Sequence, residues 1–433
     1  MFKNIIKLSL ISSLLVSTIL YADDGFEDDA FTEESRAFSS DEVIEIVKVQ
    51  EDKSKFSAYG SLSLSASYNY AHHKPEEGQN DFRGLSSSKL STDINLEYKL
   101  DNDFKIKSTL KAYKDFIYDL KDDEYITTPY DYDKDAQINE LYLQGSINSK
   151  TDIKIGRQIV VWGKSDNIRI TDTLNPMDNT TPGMIDIEDL RLARTMSKLD
   201  YFINEWAISG IVLHENRYSE MPQYGSDFAS SNQIQADMMS TKEPSNSLKD
   251  AGIALSASAN LRGQDIAFYY SNQYVDNTIY RSNMLGMAYN KVLDSFLFKT
   301  EFAYFINQCD KSQCDNYDSS TIKSKLDGLV GLEYNGISDG SISFEMANKN
   351  YDIQYALRFT QSYINQTLDF TALYSAFGKN LEDGGFVRVW IDYDIDDKLS
   401  TSFGVINYIG GDVAQFEMIK DNDRVFASLK YSF

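Results

Sequence analysis

From Phe56 to the end of the chain, apolar and polar residues alternate in one segment after another with a period of two. In Leu90–Leu100 the even-numbered positions hold Leu, Thr, Ile, Leu, Tyr and Leu, whereas all the odd-numbered positions are polar or charged. Side chains of a strand point alternately to its two faces, so this pattern predicts a strand with one apolar face. Such segments recur at intervals of roughly ten residues, the length that a transmembrane strand needs.

The connections between these segments are of two kinds. Short polar turns are predicted at Asp101–Asp103, Asn148–Thr151, Asn204–Glu205, Arg262–Gln264, Asp294–Ser295, Asn335–Gly340, Asn365–Gln366 and Asp396–Asp397. Longer or irregular connections fall between them. Short turns at one rim and long loops at the other are the layout of outer-membrane barrels, so we predict an all-β fold. It is a transmembrane antiparallel β-barrel of about 18 strands, or 16 if the segments near 341–384 are fewer.

Proline, the chain end and the composition agree with this fold. All six prolines fall in the long connections, as a closed sheet requires, because proline cannot donate to a strand ladder; they are Pro75, Pro129, Pro176, Pro182, Pro222 and Pro244. The last strand ends on Phe433 and resembles the terminal signal by which bacterial barrels are recognised, so the barrel-assembly machinery is an expected partner. The chain holds 29 Tyr and 24 Phe, yet its mean hydropathy is negative.

The beginning of the chain predicts export. Lys3 and Lys7 precede a short apolar core that ends at Ala22, which is typical of a cleavable signal peptide at residues 1–22. Residues 23–55 are strongly acidic and are interpreted as a periplasmic tail, either mobile or folded as a plug. Residues 56–433 then form the barrel. We therefore expect the protein in the bacterial outer membrane, among outer-membrane lipids and lipopolysaccharide.

Charge and histidine content exclude several functions. The formal net charge is −24, which disfavours nucleic acid and attachment to anionic membranes through a basic patch. The three histidines, His72, His73 and His214, stand in no nucleophile, metal-binding or phosphate-binding motif. We expect no enzymatic activity and no required cofactor, and we expect a small-molecule solute as the ligand. The oligomeric state stays open.

The stretch Gly156–Arg194 interrupts the repeating pattern with a loop of unusual length, and such loops are usually functional or disordered. Its motifs are Gly156-Arg157-Gln158, Trp162-Gly163, Thr171-Asp172, Leu174-Asn175-Pro176-x-Asp178 and Asp189-Leu190-Arg191. They resemble a proteobacterial porin-like family of outer-membrane β-barrels of unassigned function, most strongly over residues 153–203. The resemblance implies a long third loop that folds into the lumen, as in porins.

This third loop carries charges of both signs, and we predict that they form the pore constriction. The candidate residues are Arg157, Trp162, Asp166, Arg169, Asp172, Asp178, Asp186, Glu188, Asp189, Arg191 and Arg194. Opposed rows of charge across a constriction would set up a transverse field that filters ions. Alternatively, the charges pair with one another and fasten the loop to the wall. The sequence leaves both interpretations open.

Charged and aromatic residues on the polar faces of several strands are candidates for the lumen. They are Lys105, Lys107, Lys111, Lys198, Arg388 and Trp390. Basic ladders with an indole beside them suggest passage of anions or aromatic acids, while a generic solvated interior is the alternative.

Two further features concern the loops. Cys309 and Cys314 are the two cysteines of an exported chain and predict a disulfide that closes a small loop. Acidic loops with Asp119, Asp122, Asp123, Glu124, Asp131, Asp133 and Asp135 are interpreted as solvated charge, with weakly bound calcium as the alternative.

The function predicted from the sequence is an outer-membrane, porin-like channel for passive passage of small polar or amphipathic solutes. One alternative is a structural or adhesive surface barrel with a closed lumen. Another, implied by the family resemblance, is a conduit for hydrophobic compounds that works with a periplasmic carrier and an inner-membrane exporter.

Overall fold

The structure is a computed structural model that describes residues 54–125, 132–229, 244–276, 278, 280–309, 322–350 and 352–433. The predicted signal peptide and nearly all of the acidic tail lie outside these residues, as do Pro129 and Asp131. The side chain of Cys309 and the whole of Cys314 also lie outside them, so the predicted disulfide stays a prediction.

The described residues form 18 strands and two short helices. The strands are β1 (Phe56–Asn69), β2 (Gly84–Lys99), β3 (Lys105–Asp115), β4 (Lys134–Asn148), β5 (Thr151–Gln158), β6 (Arg194–Ile203), β7 (Trp206–Leu213), β8 (Gly252–Leu261), β9 (Gln264–Tyr274), β10 (Arg281–Leu293), β11 (Phe296–Cys309), β12 (Ile322–Ile337), β13 (Gly340–Lys349), β14 (Asp352–Tyr363), β15 (Leu368–Phe377), β16 (Gly384–Asp394), β17 (Leu399–Ile409) and β18 (Arg424–Ser432). The helices are α1 (Ile117–Leu120) and α2 (Ala414–Ile419).

These strands close into one antiparallel barrel. Each strand pairs with its neighbour in sequence, and β1 pairs with β18 as well as with β2, so the sheet has no free edge. The C-terminal residue completes the seam, since the backbone N–H and C=O of Phe433 bond with those of Gly60 at 2.9 and 2.8 Å. The predicted all-β barrel of 18 strands is confirmed. In the part of the chain that the structure describes, no helix is long and apolar enough to cross a membrane.

The two ends of the barrel differ in their connections. Every predicted short polar turn joins two strands at one end, which we call the short-turn end. The other end, the long-loop end, carries connections 70–83, 116–133, 159–193, 214–251, 275–280, 310–321, 378–383 and 410–423; the link between β13 and β14 there is only residues 350–351. The five prolines that the structure describes all lie in the long connections.

The outer face of the barrel is an apolar belt. Large side chains at alternate strand positions point away from the lumen, and Leu64, Leu326 and Phe403 are 53%, 58% and 59% exposed. Exposed aromatic residues ring the short-turn end, namely Phe56, Tyr98, Tyr201, Phe296, Tyr363, Tyr393 and Phe433. Exposure of so large an apolar surface to water would be unfavourable. In membrane barrels an aromatic girdle lies at the level of the lipid headgroups. The belt therefore faces a membrane.

The packed core lies inside the barrel. Residues 159–193, which we call the inner loop, contribute Trp162, Ile170 and Leu174 to a buried apolar cluster. The wall completes it with inward side chains from β6 to β14, many of them alanine. Small wall residues leave the space that the loop fills, so the loop packs against this side of the barrel as a core element.

The belt yields a first prediction. Val330 lies on the outer face of β12 and is 42% exposed. The variant Val330→Arg should lower the free energy of unfolding by about 2–4 kcal/mol, because a guanidinium would face the bilayer interior. Denaturant titration in phospholipid vesicles measures this change. The matched control is Ser91→Arg on the inward face of β2, which should change stability far less; equal losses would contradict the assignment of faces.

Candidate functional site

The inner loop leaves the wall at β5, crosses the lumen and returns at β6. It forms hydrogen bonds with inward side chains of β9, β11, β13, β14, β16 and β17. In a closed ring of 18 strands, β14 lies directly across from β5. A loop that starts at β5 and touches the inward faces of these strands has to traverse the lumen. The predicted third loop inside the barrel is therefore present.

A carboxylate on β11 binds the first half of the loop. Glu301, which is fully buried, accepts hydrogen bonds from the N–H groups of Lys164, Ser165 and Thr171. It also accepts the Thr171 hydroxyl at 2.8 Å. Irregular backbone has no partner strand, so its buried N–H groups need other acceptors. A carboxylate with four donors satisfies both the loop and its own buried charge.

A second carboxylate, on β13, continues the same arrangement. Glu345 is 1% exposed and accepts the N–H groups of Asp166, Asn167 and Ile168 at 2.8, 3.0 and 3.1 Å. Glu301 and Glu345 together hold the backbone from 164 to 171 on the inner wall. Each hydrogen bond to a charged acceptor contributes about 1.5–3 kcal/mol, so the two residues are the main attachment of this segment.

The Trp-Gly pair begins the traverse. The Trp162 indole stacks on the Tyr269 ring of β9, with ring centroids 4.8 Å apart. The Gly163 N–H donates to the Tyr269 hydroxyl at 3.2 Å. Gly163 has a φ of 85°, and a Cβ there would lie 2.8 Å from a Glu301 oxygen. Only glycine permits this approach of backbone to carboxylate.

The Leu-Asn-Pro segment ties the two arms of the loop together. The Asn175 side chain accepts the N–H of Val160 at 2.9 Å and donates to the carbonyl of Leu192 at 2.8 Å. Leu174 is fully buried in the apolar cluster, and its carbonyl accepts a hydrogen bond from Arg194 at 2.9 Å. The motif thus has a structural role, because the Asn175 side chain connects the outgoing arm of the loop to its returning arm.

One aspartate in the loop pairs with two arginines. The same oxygen of Asp172 accepts Arg169 at 3.0 Å and Arg191 at 2.7 Å. All three side chains are buried or nearly so. Burial lowers the pKa of the Arg169 guanidinium, and Asp172 opposes that effect. The triad locks the middle of the loop to its returning arm.

The far arm of the loop is fastened to β14 and β16. Asp186 pairs with Arg358 at 3.1 Å and with Arg388 at 2.9 Å. The Arg388 guanidinium also lies over the Trp390 ring, 4.0 Å from its centroid. On β17, the Tyr408 hydroxyl donates to the carbonyl of Pro182 at 2.6 Å. Arg388 and Trp390 thus belong to the attachment of the loop.

The other candidate residues of the loop occupy varied positions. Asp166 pairs with the buried Lys299 of β11, and Asp178 accepts the N–H of Thr180 at 3.0 Å. Glu188 and Asp189 are exposed. Arg194 is buried on the inward face of β6, where it also donates to Gln273 at 2.8 Å. On the same face Lys198 pairs with Asp200 at 2.6 Å.

Arg157 requires a correction, because it does not lie in the lumen. Strand alternation places it with Ile153 and Ile155 on the outer face of β5, near the long-loop end. There it pairs with Glu215 at 2.7 Å. Burial raises the pKa of Glu215, but bonds from Thr195 and the charge of Arg157 lower it by more, so the net shift is downward. This pair braces the outer rim and contributes nothing to a constriction.

Three aspartates of the loop have the contacts that the second of the two interpretations requires. Asp166, Asp172 and Asp186 each contact a cation within the loop or on the wall. These three aspartates attach the loop, and the predicted transverse field across the constriction stays a prediction. Fastening the loop is the role that these contacts support.

The wall that the loop leaves uncovered is lined by lysines. Lys105, Lys107 and Lys111 on β3 have side chains 33%, 35% and 47% exposed, next to Glu97 and Asp93 of β2. On the covered side the side chains of Lys299 and Lys325 are only 5% and 6% exposed. Water therefore reaches the lysines on the inner face of β3 far more than it reaches the Lys299 and Lys325 side chains of β11 and β12.

The wall residues that hold the loop, above all Glu301, Glu345 and Tyr269, were not among the residues predicted from the sequence. A signal was present, since Glu345 lies between outward Phe344 and Met346, and Glu301 lies between outward Thr300 and Phe302. An acid in the middle of such a strand needs a partner. The sequence pattern does not identify that partner, because the inner loop reaches the two glutamates from a distant part of the chain.

Two aspartates of the acidic loops form ion pairs with a lysine. Asp119 pairs with Lys114 at 3.1 Å, and Asp133 binds the same lysine. Among the described residues, no group of three His, Cys, Asp or Glu side chains could hold a metal ion. Asp131 lies outside the described residues, so weak calcium binding stays a prediction.

Comparisons with known proteins identify a family and several solved structures that match the chain. The model of a family described as "Protein of unknown function (DUF1302)" matches residues 51–313. No curated protein matches the chain. Similar solved structures include a triple mutant of Rhodopseudomonas blastica porin, with 12% identity and a TM-score of 0.42 over 87% of this chain and 100% of that chain. Salmonella typhi OmpF in complex with daunomycin has 8% identity and a TM-score of 0.46 over 87% and 97%.

The carboxylate attachment yields a second prediction. In a background without Cys309 and Cys314, a reporter Asn167→Cys should react slowly with a small water-soluble maleimide. Adding Glu345→Gln should speed the reaction by about tenfold or more, because an amide nitrogen would face the loop N–H groups and bonds to a charged acceptor would be lost. Glu97→Gln is the matched control on β2 and should have no effect. Equal rates in all variants would show that Glu345 does not hold the loop.

Proposed function

The chain belongs to the DUF1302 family of proteins of unknown function, and from its geometry we propose that it is a porin-like channel of the outer membrane. It lets small polar or amphipathic solutes pass passively along the wall that the inner loop leaves uncovered. The observation that carries the proposal is the contrast between the exposed lysines of β3 and the buried lysines of β11 and β12.

The proposed path has a definite chemical character. Its wall carries Lys105, Lys107 and Lys111 opposite Asp93 and Glu97, so cations exceed anions by one among these five residues. Fixed charge beside a narrow aqueous path selects against ions of its own sign. We infer that this wall gives the channel a weak preference for anions. The inner loop limits the diameter of the path.

The proposed location rests on the outer surface. An apolar belt with an aromatic ring at the short-turn end fits a lipid bilayer. The predicted signal peptide would deliver the chain to the envelope, and outer-membrane lipids, lipopolysaccharide and the barrel-assembly machinery are its proposed partners there. Transport through a static barrel needs no reaction, so the proposal includes no catalytic residue.

A second candidate function is a structural barrel with a closed lumen. The observation that favours it is the buried apolar cluster between the inner loop and the wall, which fills one side of the barrel. Electrical recording separates the two candidates, because a closed barrel conducts no ions while a channel does.

The third prediction tests the channel. Purified protein in planar bilayers should show discrete conductance steps and a reversal potential, in a salt gradient, that indicates weak anion preference. The triple variant Lys105→Gln, Lys107→Gln and Lys111→Gln should keep the conductance within about twofold but shift the reversal potential toward cations, because Asp93 and Glu97 then dominate the wall.

The matched control removes three exposed lysines outside this wall: Lys150→Gln, Lys379→Gln and Lys398→Gln. It should leave the reversal potential unchanged although the net charge changes equally. Absence of any conductance in correctly assembled barrels would favour the closed structural barrel. An equal shift in both triple variants would mean that solutes do not pass along the β3 wall.

A further inference from the structure

A cavity separate from the lysine wall lies at the long-loop end of the barrel. Its volume is about 400 Å³, and it is bounded by the inner loop, by residues 216–219 and by the inward faces of β9 to β12. Small-molecule sites commonly have volumes of about 300–1,000 Å³. The cavity is therefore large enough for a compact organic molecule.

The lining has an excess of positive charge. Five cationic residues face three acidic ones, namely Arg169, Arg194, Arg217, Lys325 and Lys349 against Asp172, Asp276 and Asp327. The whole chain has a net charge of −24, so this excess is local and runs against the overall balance. Just outside the lining, Arg191 shares Asp172 with Arg169, and Glu220 pairs with Arg217 at 2.5 Å, so Arg191 and Glu220 cancel and the excess stays at two. Asp327 pairs with Lys325 at 2.9 Å. A concave site with low-dielectric walls concentrates such a field and attracts anions.

The same cavity has substantial apolar surface. Its apolar lining includes Ile170, Met177, Ile187, Val275, Met284 and Phe305. A small inorganic anion would gain nothing from these side chains, and it would lose hydration by entering beside them. An organic anion gains from both features, since its charged group meets the cations while its body covers the apolar wall.

We propose that this cavity is a binding site for a small organic monoanion, a carboxylate on a compact aromatic or aliphatic body. The inference rests on the proposed channel function, for which it names the substrate class: the cavity holds the solute at the long-loop end before it moves along the lumen. Arg217 belongs to a rim connection and Lys349 is the last residue of β13, so both lie at the long-loop rim, where the solute would first meet the site.

The fourth prediction uses three probes that separate charge from shape. Binding to the protein in lipid nanodiscs at low ionic strength is measured by calorimetry with benzoate, benzamide and acetate. Benzoate should bind saturably, and benzamide, which has the same shape without the charge, should bind about tenfold more weakly or worse. Acetate, which lacks the apolar body, should also bind about tenfold more weakly. Equal affinities for benzoate and benzamide, or no saturable binding, would overturn the proposal.

A variant locates the bound probe. Lys349→Gln should weaken benzoate binding by about threefold or more, because one cation of the lining is lost. Lys379→Gln removes an exposed lysine of another connection at the same end and should leave the affinity unchanged. Equal affinity in both variants and the parent would place benzoate elsewhere and overturn the assignment.

The binding assay is independent of conduction. If benzoate binds as expected but the barrel carries no current, the channel function fails while the site stands. If the barrel conducts but benzoate does not bind, the substrate class fails while the channel stands.

Discussion

The lumen of this barrel is organised by hydrogen bonds between two wall carboxylates and the backbone of a loop without regular structure. A barrel wall satisfies its own backbone groups through the strand ladder, but a loop inside it brings N–H groups that have no ladder. Glu301 and Glu345 accept six of these N–H groups from two positions on the wall. Without these carboxylates, the buried N–H groups between 164 and 171 would lose their hydrogen-bond acceptors. The loop would then no longer be held in one position.

This attachment makes the lumen asymmetric. On one side, Trp162, Leu174 and the small wall residues form a packed core. On the same side, Asp172 and Asp186 form ion pairs with nearby arginines. On the other side, the lysines of β3 keep contact with water. A single loop thus packs against one side of the interior and leaves the lysines of the other side exposed. The proposed solute path follows the β3 wall, whereas the cationic cavity lies between the loop and strands β9 to β12.

Much of the architecture could be predicted from the sequence because strand alternation and turn type are local properties. The period of two in Leu90–Leu100 and the placement of Pro176 needed only neighbouring residues. The same local rule already placed Arg157 with Ile155 on the apolar face, although its motif suggested the lumen. The partners of Trp162 and Asp186 could not be predicted in this way, since Tyr269 and Arg388 come from distant strands whose meeting depends on closure of the ring.

Amide hydrogen exchange of the reconstituted protein, read by mass spectrometry, tests most directly whether the wall carboxylates hold the loop. The segment Ser165–Thr171 should exchange slowly, on the timescale of the surrounding strands, because its N–H groups at 165–168 and 171 are bonded to Glu301 and Glu345. The segment His73–Glu77 of the first long connection, in which four of the five residues are exposed, provides the fast reference. Exchange of Ser165–Thr171 at the rate of that reference would contradict a loop fixed across the lumen.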